Sequence, residues 1–386
     1  MKSFWIAIIL CGACSSSEDK PGLVKARLFT STASGYKLET VSFKTLESAD
    51  RLSSPLLEVR GKAILSVSEE IEEKISSDNP DKFYASRGGI VRTDYIMKDG
   101  VVYPKTFSDM ANLAIFYNFE LTYTFWTEKL GLTAADFGRT TIYNNPTIKF
   151  TSDKITGAVE PKFNASFVQG VRDFWFFKES SKAEIPIKMN LAVLAHEFTH
   201  SIFDIYFAEK NSDFYAMKTK DQDDSNTKTT YGTPYDNEFL LSALNEGLAD
   251  LFSWLVTGRA SELGASIASM AQTRVPPVNF RLSSYQAVCG DSFYCLGSLL
   301  NSAFYELATA ADGIEKVQLG KYVLSALKTF RLDWAAEKAD VSNSFQMDMD
   351  KFLERIVAEE PNSDKKIKMC TVFKSWFDSI QDKICD

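Results

Sequence analysis

Residues 194–200 read Leu-Ala-His-Glu-Phe-Thr-His, so two histidines and a glutamate fall within one short stretch. Residues four apart share a face of an α-helix, so His196 and His200 can direct two imidazoles at one metal ion. Glu197 follows the first histidine and can take a proton from a water at that metal, so the motif predicts zinc-assisted hydrolysis. The chain has only 2 histidines, and chance explains their spacing poorly. Histidines with a purely structural role are the alternative.

A second motif follows at residues 245–250, which read Asn-Glu-Gly-Leu-Ala-Asp. Glu246 and Asp250 are also four apart, so both carboxylates face one way on a helix. Solvated carboxylates are the alternative, but acidic residues on so apolar a helix favour a role at a site. The apolar positions of this helix are Leu240, Leu241, Leu244, Leu248, Leu251 and Phe252.

The HExxH motif followed by NExxxD resembles the gluzincins, and the residues of both motifs are most similar to those of thermolysin-like peptidases. The resemblance implies that Glu246 is the third zinc ligand and that a fourth position stays open for water. It also implies that Asp250 accepts the outer N–H of His196 and so fixes the tautomer of that ring. The implied fold is α+β, with a mixed sheet and the HExxH helix followed by a helical C-terminal lobe. The resemblance covers residues 100–330 and is strongest at 190–255.

Two weaker matches extend the resemblance toward a peptide or protein substrate. Residues 164–167 read Asn-Ala-Ser-Phe and resemble the edge strand of the family's cleft. The backbone of Asn164 and Ala165 would then pair with an extended peptide, although an ordinary core strand is the alternative. Arg281 resembles the family's substrate-binding arginine, and a surface charge is its alternative.

Residues 297–305 resemble a family helix, and counting back along it reveals a departure. Where the family has a histidine that binds the tetrahedral intermediate, this chain has Tyr294. A phenol is also a good donor to a developing oxyanion, so Tyr294 is the candidate substitute. A packing role for Tyr294 stays open, with Tyr231, Tyr235 or Tyr285 as other donors.

The gap between His200 and Glu246 is longer than in thermolysin, by an insertion over residues 210–237. Calcium binding is conceivable there because oxygen ligands cluster in the insertion. A solvated charged loop is the favoured interpretation. The acidic residues concerned are Asp221, Asp223 and Asp224.

The elements that must position these groups form three regions. Residues 23–96 contain short segments in which apolar and polar residues alternate, which predicts a strand-rich N-terminal region. This region could be a propeptide, a docking module or part of the enzyme. Residues 97–207 would form the first catalytic lobe and 208–386 a helical lobe. Helices are predicted at 109–130, 189–207, 237–257, 293–311, 315–330, 347–358 and 367–382. Strands are predicted at 140–143, 147–150 and 164–177, with Gly258 and Gly313 as helix caps.

The N-terminus predicts export. Residues 1–13 have the layout of a signal peptide, and the cysteine that follows resembles the lipidated residue of a bacterial lipobox. Cys14 would carry the lipid and 14–22 would be a tether, which predicts an anchored location outside the cytoplasm, at the outer membrane or cell surface. A plain cleaved signal is the alternative. No later stretch reaches the ~18 apolar residues of a membrane span.

Four cysteines lie late in the chain, and in an exported protein they are predicted to form disulfides. The simplest connectivity joins Cys289 to Cys295 and Cys370 to Cys385 because each pairing is local. Two other connectivities and four free thiols stay open.

The composition fits a soluble enzyme. The 386 residues are 45% hydrophobic and 24% charged, and the net charge of −8 argues against nucleic acid as a partner.

We expect a monomeric zinc metalloendopeptidase. One rival is an exported protein that keeps the zinc site for binding and has lost proteolysis. The other is an aminopeptidase-type gluzincin, which is disfavoured because no GxMEN-like segment is found upstream.

Overall fold

The computed structural model describes residues 23–32, 35–68, 84–151, 156–159, 165–168, 172–177, 185–208, 237–267, 274–290, 292–330 and 349–385. Several sequence predictions lie outside these ranges. They are the signal peptide, the tether, the 210–237 insertion with its aspartates, Cys14, Asn164, Tyr231 and Tyr235. No described helix is both long enough and apolar enough to cross a membrane.

Strands dominate the first half of the described chain, and they form three sheets. Their orders are β2-β1-β8-β7, β11-β10-β4-β5 and β12-β13-β9-β3-β6, and each sheet mixes parallel with antiparallel pairs. The strands are β1 (Lys25–Thr32), β2 (Gly35–Ser42), β3 (Leu57–Gly61), β4 (Ile64–Ser68), β5 (Tyr84–Ser86), β6 (Gly89–Ile90), β7 (Tyr95–Lys98), β8 (Val101–Pro104), β9 (Thr140–Asn144), β10 (Thr147–Thr151), β11 (Thr156–Val159), β12 (Ala165–Val168) and β13 (Asp173–Phe176).

Helices dominate after residue 190, which confirms the predicted α+β class. The helices are α1 (Phe107–Thr124), α2 (Leu191–Phe203), α3 (Asn237–Thr257), α4 (Glu262–Ser266), α5 (Tyr285–Cys289), α6 (Phe293–Thr309), α7 (Lys316–Thr329), α8 (Met349–Ala358) and α9 (Ser363–Trp376). Helices α1 and α2 each continue into a π-helical turn, Phe125–Lys129 and Asp204–Ala208.

The strand-rich region before residue 97 is built into the same sheets as the chain that follows it. Strand β1 runs parallel to β8, with Ala26 opposite Val102. Strand β3 runs parallel to β9, and β4 runs parallel to β10. Each sheet therefore loses strands if this region is removed, so the region is an integral part of the fold.

Helix α2, which carries the histidines, is fixed firmly at its start. Asn190 caps it, with Oδ1 accepting from Ala192 N at 2.8 Å. The amide of the same side chain donates to Glu262 O at 2.9 Å and to Ser266 Oγ at 2.8 Å, which ties the helix to α4. The capping residue thus sets the helix position as well as its first residue.

An aromatic cluster fixes the middle of the same helix. Phe198 is buried and its ring lies 5.4 Å from Phe119 of α1, 6.1 Å from Phe174 of β13 and 6.4 Å from Trp126. Aromatic pairs at such distances add to the free energy of burial. The sheet, α1 and α2 therefore share one core directly behind the histidines.

Two predicted element bounds are corrected by the structure. Within the predicted strand at 164–177, the described residues form two antiparallel strands, β12 and β13, with Ala165 opposite Phe176. The helix expected at 367–382 begins at Ser363, because Asn362 caps it by accepting from Lys365 N at 3.0 Å.

Of the two glycines predicted as helix caps, only one has that role in the structure. Gly258 has the left-handed φ of 73° that a C-terminal cap requires. Gly313 is not a cap, because α6 ends at Thr309 and is capped by Ala310. Its lack of a side chain matters for space, since a Cβ there would lie 2.6 Å from Leu307 O.

The local disulfide connectivity is present in the structure. Cys289 is bonded to Cys295 between α5 and α6, and Cys370 of α9 is bonded to Cys385. Of the pairings that the sequence left open, the two local ones are the ones formed.

We predict that a chain starting at residue 97 does not fold, because all three sheets lose strands. A chain starting at residue 23 should give a cooperative thermal transition and a structured near-ultraviolet circular dichroism spectrum, and the shorter chain should give neither. A cooperative transition in the shorter chain would show that residues 23–96 are a separable module.

Candidate metal centre

Three side chains converge from two facing helices. His196 and His200 project from α2, and Glu246 projects from α3. The Nε2 atoms of the histidines lie 3.1 Å apart. Glu246 places one carboxylate oxygen 3.3 Å from His196 Nε2 and the other 3.7 Å from His200 Nε2. These three residues are a group whose atoms could hold one ion.

The donor set and its spacing fit a zinc ion. Bonds of ~2.0–2.1 Å in a tetrahedral site place neighbouring ligand atoms about 3.3 Å apart. The observed separations of 3.1, 3.3 and 3.7 Å scatter around that distance. Two imidazoles and one carboxylate are the ligands of catalytic zinc sites, where a fourth position remains for water or substrate. The residues present therefore fit the metal that the sequence predicts.

Each imidazole has a side-chain oxygen close to its outer nitrogen. His196 Nδ1 lies 3.0 Å from Asp250 Oδ1, and His200 Nδ1 lies 2.9 Å from Asn245 Oδ1. Both oxygens can only accept, so the proton of each neutral ring belongs on Nδ1 and the lone pair of Nε2 faces the ligand cluster. Asn245 was missed in the sequence, where its only signal is its place directly before Glu246.

The charges of the site perturb the histidine and the glutamate in opposite ways. Burial alone would lower the pKa of His196, but Asp250 and Glu246 outweigh burial and raise the pKa to about 9. Burial alone would raise the pKa of Glu246, but His200, His196 and Arg274 lower it to about 2. Glu246 is therefore an anionic ligand at any physiological pH, and metal binding has to displace a proton from His196.

Arg274 is the main residue that the sequence did not reveal. It is 5% exposed, and its guanidinium donates to Asp250 at 2.7 and 2.6 Å and to Glu246 at 3.0 Å. Burial lowers the pKa of Arg274, but these carboxylates outweigh burial and raise it, so the group stays charged. A fixed cation here offsets two buried anions that would otherwise repel.

Arg281, the predicted substrate arginine, contacts Trp376 of α9. The Arg281 guanidinium stacks 3.7 Å from the centre of the Trp376 ring and donates to Phe280 O at 3.1 Å. The arginine that contacts the carboxylates is Arg274, not Arg281. The sequence does not distinguish Arg274 from Arg281, because the contact of Arg281 with Trp376 of α9 joins segments that are distant in the chain.

Glu197 is held by the hairpin strand beside it. Its Oε2 accepts from the backbone N–H of Phe167 at 2.7 Å, and the side chain is 7% exposed. Phe167 belongs to β12, the outermost strand of its sheet, which also contains Ala165. The candidate base is therefore fixed by the strand that the sequence proposes as the substrate edge.

Tyr294 lies at the exposed side of the same cluster. Its ring lies 4.8 Å from the Arg274 guanidinium, and the residue is 41% exposed. Burial and the charge of Glu246 raise its pKa, and Arg274 partly opposes them. Of the alternative donors, Tyr285 is buried at 3% exposure. Of the two candidate donors that the structure describes, Tyr294 is therefore the more accessible.

Helices α3 and α6 touch backbone to backbone next to Glu246. A Cβ on Gly247 would lie 2.5 Å from Gly297 O, and one on Gly297 would lie 2.6 Å from Ala243 O. Only glycine permits this approach, which sets the distance between the third ligand and the helix that carries Tyr294. On the opposite side of α3, Ser253 Oγ donates to Ala192 O of α2 at 2.8 Å.

Comparisons with known proteins find similarity at the level of solved structures only. No family model and no curated protein sequence matches the chain. Among solved structures, the chain is similar to the precursor of protealysin, a metalloproteinase from Serratia proteamaculans. The identity is 14%, the match covers 86% of this chain and 91% of the other, and the TM-score is 0.46. A likeness this distant leaves the function to be inferred from the side chains themselves.

We predict that Gly297→Ala weakens both the fold and the metal site. The added Cβ would lie 2.6 Å from Ala243 O and 2.8 Å from Gly247 N of α3, so α6 must move away from α3, at a cost of about 1–3 kcal/mol in the free energy of unfolding. Urea denaturation measures the first effect and a zinc competition titration the second. Gly89→Ala is the matched control, since a Cβ there has nothing within 4 Å. Wild-type values for Gly297→Ala would contradict the close contact.

We predict that Asn245→Leu lowers zinc affinity about 10–100-fold, because His200 loses the acceptor that orients its ring. Asn245→Asp keeps an acceptor oxygen and should restore most of the affinity. Competition with a chromogenic chelator provides the measurement. Equal affinities for the leucine and aspartate variants would show that the 2.9 Å contact does not orient His200.

Proposed function

We propose that this protein is a zinc-dependent peptidase of the thermolysin-like type, which hydrolyses peptide bonds within protein substrates. One observation carries the proposal: two imidazoles and a carboxylate converge, and a glutamate adjacent to the first ligand is not used as a ligand. A purely structural zinc site has four protein ligands and no use for an additional base.

The chemistry divides between the metal and the protein. Zinc, held by His196, His200 and Glu246, would polarise the scissile carbonyl and lower the pKa of water. Glu197 accepts a proton from the attacking water and returns it to the leaving amine. The Phe167 N–H orients the Glu197 carboxylate at 2.7 Å, so little rearrangement is needed for this transfer.

Two further groups act on the substrate. Tyr294 donates its phenolic proton in a hydrogen bond to the oxyanion that forms as water adds. The outer edge of β12, including Ala165, pairs with an extended peptide as an added strand, and Asn164 would extend this edge. Arg274 keeps Glu246 and Asp250 in place while the charge of the substrate changes, because it bonds to both.

The location is part of the proposal. We place the protein outside the cytoplasm, with Cys14 lipidated and the remaining chain folded at a membrane surface. The two disulfides support an oxidising compartment. The anchor would be the only membrane contact, and the folded chain would act as a monomer.

A Glu197→Gln variant tests the function. We expect wild type and variant each to bind one zinc per chain, and only wild type to cleave casein. The expected loss in kcat is about 10²–10⁴-fold, because an amide cannot accept the proton.

Two outcomes would contradict this assignment. Equal activity in the two proteins would remove Glu197 as the base. Zinc binding with no cleavage by wild type would favour an exported zinc protein that binds without proteolysis. End-group analysis of the products separates internal cleavage from removal of terminal residues, which is the aminopeptidase reaction.

We predict that loss of the proton of the oxyanion donor does not lower kcat/KM between pH 7 and 9 when zinc is saturating. The donor must be protonated, and the raised pKa of Tyr294 keeps its proton through that range. Tyr294→His replaces it with a group whose ordinary pKa is ~6.5, so its activity should decline between about pH 6 and 8. Coinciding alkaline limbs in the two proteins would exclude Tyr294 as the donor.

A further inference from the structure

Tyr294 lies in the first turn of its helix, where its backbone carbonyl accepts a hydrogen bond from Ser298 Oγ at 3.0 Å. It is the second residue of α6, whose cap is Ser292. The first four N–H groups of an α-helix have no partner inside the helix, so the backbone N–H of Tyr294 does not help to fix the turn. The side chain is also 41% exposed, which leaves part of its surface without packing. Contacts with the neighbouring chain therefore help to decide how firmly the exposed ring is held over Arg274.

The carbonyl of Ser292 accepts from Cys295 N at 3.1 Å and from Leu296 N at 3.2 Å, and two further contacts at this helix start are longer. Ser292 N donates to Cys289 O at 3.3 Å, and Cys295 N donates to Ser292 Oγ at 3.3 Å. Both lie at the long end of the hydrogen-bond range. Gly290 turns the chain with a φ of 55°, and Val288 is 58% exposed.

One covalent bond spans this segment. The Cys289–Cys295 disulfide joins the end of α5 to the first turn of α6, across a sequence separation of 6. Cys295 follows Tyr294 directly and is 7% exposed. The crosslink therefore pins the residue next to Tyr294 into the core.

The opposite side of Tyr294 leads to the metal ligands. Its ring lies 4.8 Å from the Arg274 guanidinium, which bonds to Glu246 at 3.0 Å. A short series of contacts thus runs from the disulfide through the tyrosine and the arginine to the third ligand. A shift of about 1 Å in a catalytic group can lower a rate ~10²-fold.

We propose that the Cys289–Cys295 crosslink is a positioning device for Tyr294, and that its main effect is on the catalytic step. This inference rests on the proposed function. A merely structural role makes a different prediction, because stabilisation by a disulfide grows with the length of the closed loop. On that basis Cys370–Cys385, with a separation of 15, should matter more than Cys289–Cys295, with a separation of 6.

Paired serine variants separate the two roles. We expect Cys289→Ser/Cys295→Ser to lower kcat to the level of Tyr294→Phe, with KM and zinc content unchanged. Cys370→Ser/Cys385→Ser should keep the wild-type kcat. In a Tyr294→Phe background, removing the first crosslink should change kcat by less than about twofold, since both changes remove one function. Equal kcat losses from both crosslinks, or a further large loss in that background, would overturn the proposal.

A second measurement does not need activity. The rate of Tyr294 acetylation by N-acetylimidazole, followed by peptide mass spectrometry, reports how firmly the ring is held. We expect it to rise in Cys289→Ser/Cys295→Ser and to stay at the wild-type value in Cys370→Ser/Cys385→Ser. An unchanged rate in the first variant would refute the positioning role. If zinc-loaded wild type cleaves nothing, the proposed function fails, while acetylation still tests the crosslink.

Should the first double variant fail to fold, the crosslink can be opened in the folded protein. Cys370→Ser/Cys385→Ser retains only the first crosslink among these four cysteines, and a phosphine reductant then opens it. Faster acetylation of Tyr294 together with retained near-ultraviolet circular dichroism would support the proposal. Retained dichroism with unchanged acetylation, or loss of the dichroism signal on reduction, would contradict it.

Discussion

The site depends on the burial of carboxylates beside imidazoles without leaving an unbalanced charge. Asp250 and Glu197 are 5% and 7% exposed, and unpaired charges at such depth destabilise a fold strongly. Arg274 offsets part of this charge through its bonds to Asp250 and Glu246. The cluster contains three carboxylates and one guanidinium, so a divalent ion would add positive charge where carboxylates outnumber cations. The charge of the cluster thus favours the metal as clearly as its geometry does.

The second constraint is the distance between helices. Gly247 and Gly297 let α3 and α6 meet backbone to backbone, and Asn190 ties the start of α2 to α4. The ligands sit on these rigid helices rather than on loops, which limits their freedom before a metal arrives. Less conformational entropy is then lost on binding, because the donor atoms already lie within 4.8 Å of one another.

Much of the site was predictable from the sequence, because helical spacing is a local property. The four-residue intervals of His196 and His200, and of Glu246 and Asp250, fix which side chains share a face. Helix α3 was predicted with the bounds that it has, Asn237–Thr257. The α+β class was implied by the family resemblance, and the short strand segments followed by apolar helices agreed with it.

The remaining features depend on contacts between segments distant in the chain. Arg274 meets Asp250 only after α3 is in place, and Arg281 is drawn to Trp376, which is 95 residues later in the chain. The parallel pairing of β1 with β8 is equally non-local, so the sequence left the role of residues 23–96 open. The start of α9 was missed for a local reason, since Asn362 was not recognised as a cap.

X-ray absorption at the zinc edge of the zinc-loaded protein tests the central claim most directly. The account predicts one zinc per chain, with a shell of nitrogen and oxygen only at about 2.0–2.1 Å and the scattering pattern of two imidazoles. A shell containing sulfur at about 2.3 Å, or one without imidazole scattering, would contradict a site built from His196, His200 and Glu246.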